Sequence, residues 1–291
     1  MKRLLDKNLY YVGGIVRDSF LGIKSLDTDL CFQGNAIDFA TENFKQYIVK
    51  INQSFGTVKI IINGNEVDIA STREESYPRP GHLPVIHNIG CILERDLFRR
   101  DFTINAMAKN TLTGDLYDPF DGKTDIKSKL IRVLHKNSFI DDPTRIIRAL
   151  KFSGRFGFDI EPETKQLQEE YLSNINYDMS YHRLKKELIE TFNINSGEIF
   201  NTFVKNKIYK LLGDNQTEPD IDGIIIQNAI NTADYTPWII YLSFFNLKNL
   251  PLTKRERNII EWISKLKTEK STNNTPKESI LIHNILKEYK C

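Results

Sequence analysis

The chain has 291 residues, 40% of them hydrophobic and 27% charged, with a formal net charge of +2. That length suits about two domains and the composition is ordinary for a globular protein. Near-neutrality excludes a global polycation, so any nucleic-acid surface must be a local patch. No apolar run of about 18 residues marks a membrane helix, and the opening Met1–Asp6 lacks an apolar signal core. Three scattered cysteines, Cys31, Cys91 and Cys291, suit a reducing cytoplasm, with neither a disulfide framework nor a zinc site.

Tyr10 to Val12 reads as a strand end, broken by Gly13-Gly14. Two glycines allow a tight turn and let a ligand approach the backbone. Ile15 to Leu21 reads as a helix stopped by Gly22. A helix start after a glycine pair offers free N–H groups to a phosphate, and Arg17 adds a planar cation one turn in. If Thr28 to Phe32 is a strand, Asp27 and Asp29 share a face, about 6–7 Å apart along the chain. Carboxylates that close call for a cation, and hard oxygen ligands favour Mg²⁺ or Mn²⁺. A phosphate cradle beside such a pair suits nucleotidyl transfer. Singly, a glycine pair is a turn and an Asp-x-Asp a solvated strand.

Ile37 to Tyr47 suits a helix and Val49 to Ile51 a strand. Thr57–Ile62 and Glu66–Ala70 flank Asn63-Gly64-Asn65, a hairpin signal. Alternation in the second strand brings Asp68 beside Asp27 and Asp29 as a third carboxylate, unless that face is merely solvated. Ser71 to Gly90, with three prolines and no periodicity, reads as a long loop. Its Arg73, Glu74, Tyr77 and Arg79 are candidates for contact with a nucleotide or an RNA end, or are simply solvated. In the segment 93–108, Leu97, Ile104 and Ala108 are apolar anchors. Asp101 and Asn105, four apart, are expected to share a helix face. Arg100 is a candidate for the triphosphate and Asn105 for a sugar hydroxyl; a plain polar helix face is the alternative. Asp115 to Gly122 is turn-rich.

Asp142 followed by Pro143 reads as a helix N-cap with proline at the first position. At helical spacing Asp141, Arg145, Arg148, Phe152 and Arg155 form one stripe, with Ile146, Ile147 and Leu150 opposite, toward a core. Lys127 to Arg155 holds eight Lys and Arg against two Asp, a local +6 and the best basic patch in the chain. Beyond it the chain reads all-helical: 163–172, 181–192, 197–212, 221–232, 238–245, 254–266 and 278–289, punctuated by Pro162, Pro219, Pro237 and Pro251. The architecture is therefore α+β first and all-α after.

Taken together, Gly-Gly-Ile-Val-Arg-Asp (13–18) with Asp27-Thr-Asp29, the run 99–108 and the run 141–152 resemble the class II, bacterial-type tRNA nucleotidyltransferases and the related bacterial poly(A) polymerases. The resemblance spans roughly residues 10–195. It implies a head over 1–125, a mainly antiparallel five-stranded nucleotidyltransferase palm; a neck over 126–195; and a helical body over 196–291, shorter than the family's. Asp27 and Asp29 would hold two metals, with Asp68 as the further catalytic candidate. Gly13, Gly14 and Arg17 would meet the triphosphate, and Arg100, Asp101 and Asn105 phosphate and ribose. Asp142 and Arg145, supported by Arg148, would read CTP and ATP in place of a template. Arg73, Arg79, Arg155 and Arg183 are the candidate RNA contacts. The stretch 71–86 would be the family's flexible loop, which argues against a CC-only enzyme. The family's Glu-Asp and Glu-Arg pairs stand here as Asp141-Asp142 and His182-Arg183. The implied activity is addition of C, C and A to tRNA 3′ ends, with partial (CC-only or A-only) addition or poly(A) synthesis as alternatives. A non-catalytic RNA-binding protein is the alternative from another class.

Overall fold

The computed structural model describes residues 4–25, 27–266, 268 and 271–289; Cys291 and the first three residues of the N-terminal reading lie outside them. The chain divides into two compact units, the first reaching Asp141 and including Asp159–Thr164, the second comprising Asp142–Phe158 and Lys165 onward.

The first unit opens with β1 (Leu9–Val12), α1 (Gly14–Leu21), β2 (Asp29–Phe32) and α2 (Ala36–Phe44). Gly13 takes a left-handed turn (φ 69°) into α1, and Gly22 ends it in the same region (φ 68°), its N–H donating to the Asp18 carbonyl. The Asn35 carboxamide oxygen caps α2, accepting from the Ile37 and Asp38 amides. Then come β3 (Ile48–Asn52), β4 (Thr57–Ile62) and β5 (Asn65–Ser71). Asn63 and Gly64 both have positive φ (54° and 77°), the turn whose twist matches a two-residue hairpin. Next in the chain are β6 (Arg73–Ser76), β7 (Val85–Ile89), α3 (Leu93–Phe98), β8 (Ala108–Asn110), β9 (Leu116–Tyr117), α4 (Gly122–Ser128), β10 (Leu130–Ile131), α5 (Ser138–Asp141) and β11 (Asp159–Ile160).

The main sheet runs β3-β4-β5-β2-β1-β8-β9. Only β2 and β5 pair in parallel; the other pairs are antiparallel. It has seven strands where five were expected. The strand β9 is too short to show a period, and β8 hides at the end of an arginine-rich run. One face packs Leu9, Leu30, Val58, Ile60 and Ile69 against Ala36, Ala40 and Phe44 of α2. The other packs Val12, Cys31 and Ala108 against Leu93 and Leu97 of α3. Period-two alternation thus puts Leu30 on one face and Cys31, with Asp29, on the other.

Two expectations fail here. Ser71 to Gly90 is not a loop throughout: β6 and β7 pair antiparallel, with a register shift at Glu74/Glu75. The prolines are confined to the connection 77–84, where no ladder N–H is required, and β6 carries charge instead of alternating apolar residues. Nor do Asp101 and Asn105 lie on one helix. The helix α3 stops at Phe98, the buried Phe102 bridges to Val133, and Thr103–Asn105 forms a separate 3₁₀ turn.

The second unit holds α6 (Thr144–Phe156), most of α7 (Pro162–Ser173), then α8 (Tyr181–Phe192), α9 (Gly197–Lys205), α10 (Gly223–Ile230), α11 (Pro237–Leu242), α12 (Lys254–Lys265) and α13 (Lys277–Tyr289). The expected helix 197–212 breaks at Lys207 (φ 56°), after which Ile208–Leu212 continues as a 3₁₀ turn. Phe192, Phe200, Phe203, Tyr241 and Phe245 form its aromatic core, with ring centroids 5.1–6.1 Å apart. The backbones of α9 and α10 touch at Gly197 and Gly223, where a Cβ on either would strike the other chain segment. A reciprocal Thr253–Glu256 capping box starts α12.

Candidate active site

The parallel register pairs Asp29 directly with Asp68, and the hairpin register pairs Asp68 with Lys59. Residues so paired project to the same sheet face, so the third carboxylate sits beside the Asp-x-Asp strand. The Lys59 ammonium lies 3.3 Å from the Asp68 carboxylate and 2.7 Å from that of Glu66. Burial, then the charges of Asp68 and Asp27, push the Asp29 carboxyl above the ordinary range, against the pull of Arg100 and Lys59. Mutually repelling hard oxygens on one strand end fit a divalent cation. Among the described residues no three His, Cys, Asp or Glu side chains are grouped closely enough to enclose an ion by themselves. The fit is therefore that of Asp27 and Asp29 supplying part of a shell.

The glycine turn stands alongside. A Cβ on Gly13 would lie 3.2 Å from Nη1 of Arg100, and one on Gly14 would lie 3.5 Å from Nη2 of Arg17. Gly13 thus makes room for the Arg100 guanidinium as well as for the turn itself, while a Cβ on Gly14 would be in ordinary contact with Arg17. Arg17 is buried. Its Nε and Nη2 donate to Asp18 (2.9 and 2.7 Å) and its Nη1 to the side-chain oxygen of Asn105 (2.6 Å). The Asn105 amide in turn donates to Asp101 (2.9 Å). Arg17, Asn105 and Asp101 are hence one hydrogen-bonded chain, brought together by the 3₁₀ turn instead of a helix. The Asn105 amide dipole is fixed in direction, with Arg17 behind its oxygen.

Two residues passed over in the sequence complete the site. Asp18 neutralises Arg17. Asp96, fully buried, receives Nη2 of Arg100 at 3.0 Å and the Nε and Nη2 of Arg99 at 3.0 and 2.8 Å. Its spacing to Arg100 (i, i+4) was the available signal. Burial alone would raise Asp96, but Arg100 and Arg99 carry its carboxyl below the usual range.

In the second unit Asp142 is buried. Its Oδ1 accepts from the Thr144 amide and hydroxyl (3.1 and 2.6 Å), and its Oδ2 pairs with Arg183. The helix begins at Thr144, one residue later than expected, with Asp142 still receiving a first-turn amide. Arg145 is buried beside Ile146 and Ile147, Arg148 is half-buried and Arg155 is exposed over the Phe156 ring. The anticipated stripe is interrupted, because Asp141 ends α5 in the first unit, 4.0 Å from His135. Part of the +6 patch is likewise neutralised. Arg132 pairs with Asp125 and Glu161, Arg148 with Glu187, and Lys151 with Glu187 and Glu190.

Of the other RNA candidates, Arg79 is exposed in the 77–84 connection. The Arg73 fork turns inward to Glu75 (3.0 Å) and the Phe55 carbonyl (3.1 Å).

A sheet face joining neighbouring carboxylates, a glycine turn and an arginine held against that turn is the arrangement expected of a nucleotidyltransferase. The family model described as "Poly A polymerase head domain" matches residues 9–132. The A-adding tRNA nucleotidyltransferase of Aquifex aeolicus (strain VF5) is 45% identical over 163 residues, which is 54% of this chain and 20% of that protein. The CCA-adding enzyme of Lactobacillus johnsonii (strain CNCM I-12250 / La1 / NCC 533) is 35% identical over 190 residues, 62% of this chain and 45% of that protein. The solved apo form II of a CCA-adding enzyme superposes with a TM-score of 0.79 at 27% identity, over 97% of this chain and 78% of that one. Residues 9–132 thus carry a poly(A) polymerase head domain, and over nearly its whole length the chain is similar in structure to a CCA-adding enzyme. It spans between a fifth and just under half the length of the two curated relatives. No helix among the described residues is long and apolar enough to cross a membrane.

Proposed function

We propose that this chain adds C, C and A from CTP and ATP to tRNA 3′ ends, without a template, in the cytoplasm. The observation that carries the reading is the crowding of Asp27, Asp29 and Asp68 at one strand end, with Arg100 and Lys59 acting on the same carboxylate. Asp27 and Asp29 would hold Mg²⁺ or Mn²⁺, whose chemistry is to activate the primer hydroxyl and neutralise the departing pyrophosphate. Gly13 and Gly14 open the backbone to the triphosphate, and the Arg100 Nη1 beside that turn binds it. Asn105, held by Arg17 and Asp101, offers its amide to a ribose hydroxyl. Asp142 and Arg145, with Arg148 beside them on α6, read the base: a carboxylate accepts an amino proton and a guanidinium donates to ring acceptors. Arg79, Arg155, Arg183 and Arg73 are the proposed RNA contacts, and the head, neck and body division at 125 and 195 is retained as the functional one.

A-only addition has a specific observation in its favour. The A-adding relative is 45% identical and the CCA-adding one 35%. Purified protein incubated with Mg²⁺ and tRNA ending before the first C, after CC, or after CCA decides among the products. CTP and ATP together should extend the first substrate by three nucleotides, CTP alone by two and ATP alone by none. Extension only of tRNA ending in CC gives the A-only enzyme, and long A tracts give poly(A) synthesis. No incorporation from any substrate, with tight tRNA binding, would leave a non-catalytic RNA-binding protein. Asp27→Ala and Asp29→Ala should each reduce incorporation to background while leaving the melting temperature in place.

A further inference from the structure

We propose that Asp96 is the positioning residue that sets Arg100 against the glycine turn and ties that setting to the β6–β7 hairpin. The inference rests on the nucleotide-binding reading above. Asp96 has no exposed surface, yet it is surrounded by donors from three parts of the first unit. From its own helix end, Arg100 gives Nη2 to Oδ2 at 3.0 Å, and Arg99 gives Nε and Nη2 to Oδ1 at 3.0 and 2.8 Å. From the hairpin, the Arg73 backbone N–H donates to Oδ1 at 3.1 Å. From β2, the Cys31 thiol, two residues beyond Asp29, points at Oδ2 from 3.7 Å.

The consequence for Arg100 is orientation. With Nη2 held by Asp96, Nη1 is the end presented to Gly13, 3.2 Å from where a Cβ would be. The Arg100 Nε is buried without a hydrogen-bond partner, so Asp96 is the acceptor that fixes the group. The consequence for the hairpin is a latch. Arg99 also donates to Glu75 (3.3 Å), Glu75 accepts from Arg73 (3.0 Å), and Arg95 pairs with Glu74. Any movement of β6 at its base therefore changes the partners of the carboxylate that aims Arg100.

The test is equilibrium binding of ATP and CTP, with incorporation kinetics alongside. Asp96→Asn keeps the shape and one acceptor oxygen but removes the charge. It should weaken nucleotide binding and raise the nucleotide KM on the order of tenfold, the usual worth of a hydrogen bond to a charged group. The KM for tRNA should stay unchanged. In an Arg100→Ala background the same substitution should add nothing to the loss of nucleotide binding, because its route is gone. Arg99→Lys, which keeps the charge but gives up the fork to Asp96 and Glu75, should raise the nucleotide KM by a smaller factor, about threefold. This variant decides the matter if Asp96→Asn does not fold. Unchanged nucleotide binding in both variants, or losses that multiply in the double variant, would overturn the positioning role. A wild-type protein that binds ATP but incorporates nothing sinks the proposed reaction, while the binding comparison still judges Asp96.

Discussion

Two arginine clusters in this chain solve the same problem in opposite ways. In the first unit, one fully buried acid, Asp96, serves Arg99, Arg100 and the Arg73 amide. In the second, the bases lie along α6 and the acids along α8: Arg148 and Lys151 meet Glu187, and Lys151 also meets the half-exposed Glu190. The first arrangement concentrates the charge balance in a single side chain. The second spreads it across a helix pair whose rim is wet. Concentration gives direction to a guanidinium; spreading gives tolerance.

The contrast breaks most visibly at its centre. Asp96→Ala should cost on the order of 3–5 kcal/mol, since removing one partner of a buried pair strands the others, and urea titration of the whole chain measures it. Glu187→Gln should cost about 1–3 kcal/mol, because Lys151 keeps Glu190 as a second partner. Glu190→Gln, at a screened position, should cost less than about 1 kcal/mol. If Glu190→Gln equals Asp96→Ala, the distinction between the clusters is lost.

Acid sharpens the comparison. A carboxyl held below its unfolded value stabilises the fold fully above the ordinary range near pH ~4. The contribution disappears as pH falls through the lower folded value. Asp96 is depressed in this way, so Asp96→Asn should flatten the acid limb of the stability curve between about pH 4 and that lower value. Glu190 is depressed too, burial opposing and Lys151 prevailing, but its partial exposure makes the corresponding flattening in Glu190→Gln the smallest of these effects.

Sequence made the strand–glycine–helix–strand opening plain because each signal there is local: Gly13, Gly22, the Asp27/Asp29 alternation. The Asn63-Gly64 turn carried enough information to align Asp68 with its neighbours. What stayed hidden depends on distant partners. The ions on β6 find theirs on α3, so 73–76 lacks the apolar alternation of a strand. Phe102 is anchored by Val133, which ends a run that reads as continuous helix. The basic patch holding Arg148 and Lys151 looked uncompensated because Glu187 lies 39 and 36 residues away in sequence. Asp96 was in view at helical spacing from Arg100, but only burial reveals how many donors it serves.

The one parallel pairing within the main sheet, β2 with β5, carries a kinetic consequence. Asp29 and Asp68 become neighbours only after α2 and the β3–β4 pair have been laid down between them. Such closure is slower to form than a local hairpin, so the carboxylate pair comes together after the β4–β5 hairpin that carries Asp68. A cation captured there would act as a clasp on the finished sheet, raising its melting temperature with the logarithm of the free cation concentration above the dissociation constant.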